Sequence, residues 1–102
     1  MKDPVKLVTA TGDTNNIITV PCYVHKLAIY NATVTNNPLM ELHDATTVTG
    51  TAKLTFNVNP TFNATNFQQY AEANFDPPFR FEIAVSLNIT GTGLYHIFYT
   101  NA

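Results

Sequence analysis

The residues able to carry chemistry are few. The chain holds Asp3, Asp13, Asp44 and Asp76, Glu41, Glu72 and Glu82, His25, His43 and His96, a single Cys22 and a single Ser86. The most suggestive grouping is Glu41-Leu42-His43-Asp44. On a strand, Glu41 and His43 project from the same face, as two metal ligands would. No second ligand pair follows at a recognisable spacing, and an exposed polar face opposite Met40 and Leu42 explains the pattern more simply. No metal or cofactor is therefore assigned. His25, between Val24 and Lys26, and His96, between Tyr95 and Ile97, read as strand histidines packed beside aromatics. Cys22 follows Pro21 with nothing nearby to lower its pKa, which suits a buried structural thiol. Ser86 falls inside a strand pattern, away from any strand-to-helix elbow. Gly91-Thr92-Gly93 joins two strands and reads as a hairpin turn, with no helix to make it a phosphate cradle. No catalytic residue is assigned, and the expectation is a protein that is not an enzyme.

The elements that would position these groups are strands. From Phe79 to Ile89, Phe79, Phe81, Ile83, Val85, Leu87 and Ile89 alternate with Arg80, Glu82, Ala84, Ser86 and Asn88. Such a period of two sends the large apolar groups to one face. Leu54, Phe56 and Val58 alternate with Lys53, Thr55 and Asn57 in the same way. The segments 23–30 and 94–100 are apolar on both faces: Leu94, His96 and Phe98 oppose Tyr95, Ile97 and Tyr99. Strands of that kind need cover on two sides, so they are central or face a partner. Shorter runs at 5–9, 17–20 and 39–43 complete the set. Turn formers separate them, among them Thr11-Gly12-Asp13, Asn36-Asn37-Pro38, Thr49-Gly50-Thr51 and Asp76-Pro77-Pro78. The expected fold is all-β: one antiparallel sandwich or jelly roll of seven to eight short strands, filling residues 1–102 as a single domain. The segment 67–74 suits either a helix capped by Asn66 or a strand; the all-β surroundings and Pro77 favour the extended form.

The aromatics carry a second message. Phe56, Phe79, Phe81 and Phe98 sit at inward-alternating positions and are expected in the core. Phe62, Phe67, Tyr70 and Phe75 fall in the least regular stretch, where one small core has little room for all of them. These four are the candidate interface, with a loop folded over an open end of the sandwich as the alternative.

Composition narrows the function classes. Of 102 residues only 12% are charged, while 16 Thr and 12 Asn make up more than a quarter of the chain. With five Lys plus Arg and a net charge of −2, there is no basic groove, and no nucleic-acid partner is expected. No apolar run approaches the roughly 18 residues of a membrane-spanning helix. The residues from Met1 to Lys6 lack the apolar core of a signal peptide, so synthesis in a cytoplasm without secretion is the expectation. On that ground the sequons at Asn31, Asn63 and Asn88 are set aside; about two would arise by chance in a chain this rich in Asn and Thr.

Three runs carry a resemblance: His43-Asp44-Ala45-Thr46-Thr47-Val48-Thr49-Gly50-Thr51, Phe75-Asp76-Pro77-Pro78-Phe79-Arg80-Phe81, and Leu87-Asn88-Ile89-Thr90-Gly91-Thr92-Gly93. Together with the Tyr-rich last strand, they resemble small virion proteins of tailed bacteriophages, over roughly residues 23 to 100. The resemblance rests on turns and strand entries, and it brings no catalytic residue with it. It implies a structural virion protein, of the capsid decoration or cement type, made in the host cytoplasm and bound to the outer shell. Its partners would be the major capsid protein or other virion proteins, and further copies of itself in a homo-oligomer. The alternative is a neck-, tail- or fibre-associated sandwich that recognises a host surface glycan or another virion protein. A cupin-type metal enzyme would need clustered His and Glu, which the spacing does not supply.

Overall fold

The computed structural model describes residues 4–33, 39–57, 68–91 and 93–102, and their side chains except those of 31–33 and 68–70. Eight strands follow in chain order: β1 (Lys6–Ala10), β2 (Thr14–Ile18), β3 (Cys22–Thr33), β4 (Leu39–His43), β5 (Leu54–Asn57), β6 (Gln68–Phe81), β7 (Val85–Thr90) and β8 (Leu94–Asn101). All pairings are antiparallel, in two four-stranded sheets ordered β1-β8-β3-β6 and β2-β7-β4-β5. Strands pair first with last: β1 with β8, β2 with β7, β3 with β6 and β4 with β5. The β3–β8 and β4–β7 ladders then roll this long double ribbon into two walls. That winding is a jelly roll.

The core lies between the walls. Val24, Leu27 and Ile29 of β3, Phe81 of β6, and Tyr95 and Ile97 of β8 come from the first sheet. Met40 and Leu42 of β4, and Val85 and Leu87 of β7, meet them from the second. All ten side chains are fully buried, so the space between the sheets is filled by protein. The Tyr95 hydroxyl reaches out of the core to donate to the Thr90 carbonyl at 3.0 Å. Burial of its ring pushes its pKa up.

The alternation from Phe79 to Ile89 does not make one strand. The chain leaves the first sheet after Phe81, turns over 82–84 and enters the second at Val85. Ile83 is therefore at the turn, 57% exposed, rather than in the core, while Ala84 is buried. Period-two patterning sees only the phase of side chains, and the turn over 82–84 keeps that phase on either side of the change of sheet. Gly91 and Gly93 likewise join strands of different sheets, so this connection is an arch between walls and not the expected hairpin. Gly91, with φ at 89°, takes a left-handed conformation open to glycine at little cost.

The segment 68–74 is extended, as expected, within β6. β6 is an edge strand, paired only with β3, which is where prolines can be accommodated. Between Val24↔Phe79 and Lys26↔Asn74 its register slips across residues 75–78, the Pro77-Pro78 stretch. His25 is the extra residue on β3 at the same level against β8.

Candidate functional site

Four of the groups that looked able to do chemistry, Glu41, His43, Asp44 and Ser86, fall at one place, where the 44–53 connection covers the outer face of the second sheet. Glu41 and His43 do share that face, as strand geometry requires. Glu41 accepts a hydrogen bond from Asn88 Nδ2 at 3.0 Å across β4 and β7. His43 is not exposed: only 5% of it reaches solvent. Its Nδ1 lies 3.0 Å from the Thr49 carbonyl, which can only accept, so Nδ1 carries a proton, and the buried Nε2 meets no hydrogen-bond partner.

Ser86 faces His43 across the β4–β7 ladder and is fully buried. Its hydroxyl donates to the Ala45 carbonyl at 2.8 Å and accepts from the Asn16 amide at 2.9 Å. Asn16 has φ at 56°, inside the irregular part of the β2–β7 pairing between Thr14 and Ile18. The neighbouring Asn15 accepts from the Val48 amide. A serine whose proton is committed to a carbonyl, with a histidine turned to a different carbonyl, is no nucleophile and base pair. These residues clamp a loop to a bulge.

Asp44 completes the clamp. Its Oδ1 accepts from the amides of Ile83 (2.8 Å) and Ala84 (3.4 Å), and its Oδ2 from the Glu82 amide and Lys53 Nζ, both at 3.0 Å. Three successive amides thus converge on one carboxylate at the point where the chain changes sheets. Burial alone raises the Asp44 pKa and is the largest single influence. The amides of Glu82 and Ile83, the Lys53 ammonium and the Ala84 amide together outweigh it and hold the carboxyl below its usual 3.8. Lys53 also lies over the rings of Phe79 and Phe81, at 5.9 and 5.4 Å. Cys22 is fully buried beside this region. Its thiol is pushed up to about 11, chiefly by burial and then by the Asp44 charge, so it is protonated at neutral pH. No group of three or more His, Cys, Asp or Glu among the described residues could hold a metal ion.

A different surface has the character of a binding site: the outer face of the first sheet. The β1–β8–β3–β6 registers set Leu7 beside Phe98, Lys26 and Asn74, and Thr9 beside His96, Ala28 and Glu72. Leu94 lies beside Tyr30 one step along, and Tyr23 between Thr100 and Arg80 at the far end. Inward neighbours Tyr95, Ile97 and Tyr99 belong to the core or pack on it, so Leu94, His96 and Phe98 point out. Phe98, expected in the core, is thus an outer-face residue. The alternation of β8 is apolar in both phases, and the ladder chose the other one.

The face is ordered by its own contacts. Tyr30 meets His96 edge-on with ring centroids 4.6 Å apart, and His96 and Phe98 lie nearly parallel at 6.3 Å. Burial among these rings lowers the His96 pKa, which keeps it neutral at pH 7. Its Nδ1 is 3.4 Å from Thr9 Oγ1, and His25 Nε2 is 2.9 Å from Thr100 Oγ1. Lys26 sits over Phe98 at 5.2 Å and pairs with Glu72 at 2.6 Å. Arg80 sits over Tyr23, donates to its hydroxyl at 2.8 Å and approaches Glu82 at 3.5 Å.

Of the four residues proposed from sequence as an interface, Phe62 and Phe67 lie outside the described residues. Tyr70 is in β6, and its side chain also lies outside them. Phe75 is half-buried against the edge of the core, with its ring 6.2 Å from Phe79. Leu7 carries no such sequence signal, whereas 23–30 and 94–100 are apolar on both faces, as strands that are central or face a partner must be. The two-sided apolar pattern of 94–100 was the signal, but which strands flank it depends on the register. Compared with known proteins, the chain has no match: no protein-family model, no curated protein and no solved structure matches it.

Proposed function

We propose that this chain is a structural subunit of a virus particle, of the capsid decoration type, which works by burying surface against other proteins. The observation that carries the reading is the outer face of the first sheet: a row of exposed Leu7 and half-buried Phe98, His96, Tyr30 and Leu94, crossed by the Lys26–Glu72 ion pair. Two further features support it. His43, Asp44 and Ser86 are engaged in loop clamping, and the jelly roll is an architecture that viral capsid proteins share with lectins and cupins. That last support is fold-level analogy. In a cupin or a lectin the ligand needs a cavity or an open polar pocket, whereas here the space between the sheets is filled with side chains.

The mechanism is many-copy burial. Each contact contributes modestly, and a subunit that binds only the assembled shell stabilises that shell by mass action. Phe62, Phe67, Tyr70 and Phe75 are kept as a second candidate contact towards the shell. The test is made on particles. Depleted particles should assemble but burst at lower temperature or osmotic stress, and purified protein added back should restore resistance. Depleted particles as robust as complete ones, yet unable to adsorb to cells, would replace this reading with recognition of a host surface glycan.

A further inference from the structure

We propose that the free edge of β1 accepts one more strand: an extended segment of a different protein that carries a carboxylate opposite Lys6. The proposal concerns the edge of the first sheet and stands apart from the virion reading.

The backbone groups along a sheet edge are satisfied only by water or by another strand. The two sheets end in β1 and β6, and in β2 and β5. All but β1 are spoiled for pairing. β6 slips twice against β3 and holds Pro77 and Pro78, which have no backbone N–H to donate. β2 breaks its register between Thr14 and Ile18, where Asn16 takes a φ of 56°. β5 is only four residues long. β1 keeps an unbroken register with β8 from Lys6 to Ala10 and contains no proline. Every second residue of β1 therefore turns its N–H and C=O away from β8, and no other described strand pairs with it.

The side chains along this edge say what kind of strand fits. Val5 and Leu7, 56% and 49% exposed, share one phase, and apolar residues on an added strand would cover them from the side. Lys6 and Val8 take the opposite phase. Val8 packs on the core, and Lys6 beyond it is exposed.

Charge selects the partner. Lys26, Lys53 and Arg80 each pair with a carboxylate, whereas Lys6 makes no ion pair with any described residue. A lysine on an edge strand discourages uncharged or basic strands, and an acidic residue directly opposite turns it into a favourable cross-strand pair. Lys6 thus makes the edge selective as well as open. A second copy joined β1 to β1 would bring Lys-Leu-Val-Thr-Ala, which has no carboxylate. Asp76 of a second copy lies on the β6 edge, but inside the slip across 75–78, where no regular ladder is on offer. The carboxylate has to come from a different chain.

Amide-resolved NMR of the purified chain, titrated to about 1 mM with a synthetic peptide of about seven residues, tests this. The peptide alternates valine with threonine around one central glutamate. A second peptide has lysine in place of the glutamate, and a third is the glutamate peptide with every backbone N–H methylated. The glutamate peptide should shift the amides of residues 5–10 and slow hydrogen exchange at alternate β1 amides. At low salt it should bind roughly threefold or more tighter than the lysine peptide. Lys6→Glu should reverse that order without changing the melting curve, since Lys6 is exposed. The methylated peptide should not bind, because it has nothing to donate to the edge. The proposal is overturned by an absence of shifts, by shifts centred away from β1, by equal affinity for the two charged peptides, or by binding that survives methylation. Self-association of the chain alone that Lys6→Glu alters would give the edge to a second copy and overturn the choice of partner. None of these results bears on the particle-bursting test, which judges the virion reading by itself.

Discussion

Removing the Asp44 carboxylate should loosen the joint between the two sheets. In Asp44→Ala the amides of Glu82, Ile83 and Ala84 and the Lys53 ammonium lose a shared charged acceptor. A hydrogen bond to a charged group is worth about 1.5–3 kcal/mol net. The Glu82 and Ile83 amides lie at the surface and recover much of this from water, while Ala84 is buried and recovers less. The expected cost is about 2–4 kcal/mol, which lowers the Tm by roughly 10 °C or more in a domain of this size. Asp44→Asn keeps one oxygen for Ile83 but turns an NH2 group towards Lys53 or Glu82, and should cost about half as much. The pH dependence separates the charge from the shape. The folded pKa of Asp44 lies below its unfolded value near 3.8, so its contribution is fully present above that value. It is lost as pH falls through the folded pKa. Urea melts of wild type and Asp44→Asn at pH 7 and near pH 2.5 should therefore show a gap that is wide at neutral pH and narrows in acid. A gap of equal size at both pH values, or a cost below about 0.5 kcal/mol for Asp44→Ala, would refute the reasoning.

Phe81→Ala should cost about 3–5 kcal/mol, whereas Ile83→Ala should stay within about 0.5 kcal/mol, since the first side chain is fully buried and the second is not; chemical denaturation ranks the two, and equal costs would place both on one face. Ser86→Ala strands the Asn16 amide and the Ala45 carbonyl and should cost about 1–3 kcal/mol, while Ser86→Thr, which keeps the hydroxyl, should recover part of it if the added methyl fits. Cys22 should react with a thiol reagent at pH 8 only as fast as the protein opens, because it is buried and its pKa is about 11; labelling of the native protein at the rate of a free thiol contradicts its placement.

Much of the architecture is legible in the residues themselves. The strands 39–43 and 54–57 announce themselves by apolar and polar alternation, and Pro77 and its all-β surroundings rightly favour an extended 68–74. An all-β sandwich of about eight strands follows from such local signals, because a strand's period is a property of its own residues. The pairing is not local. Which strand lies beside which, and so which phase of a two-sided strand such as β8 is inside, depends on contacts between residues as far apart as Leu7 and Phe98. For that reason Phe98 moved from the expected core to the outer face, Ile83 from the core to a turn, and Gly91 and Gly93 from a hairpin to an arch. The chemistry divides in the same way. His43, Asp44 and Ser86 are visible as reactive residue types, but only the tertiary structure brings the 82–84 amides onto Asp44 and the Thr49 and Ala45 carbonyls onto His43 and Ser86. A carboxylate, an imidazole and a hydroxyl acquire a role from the partners that reach them, and those partners are delivered by the winding of the two walls.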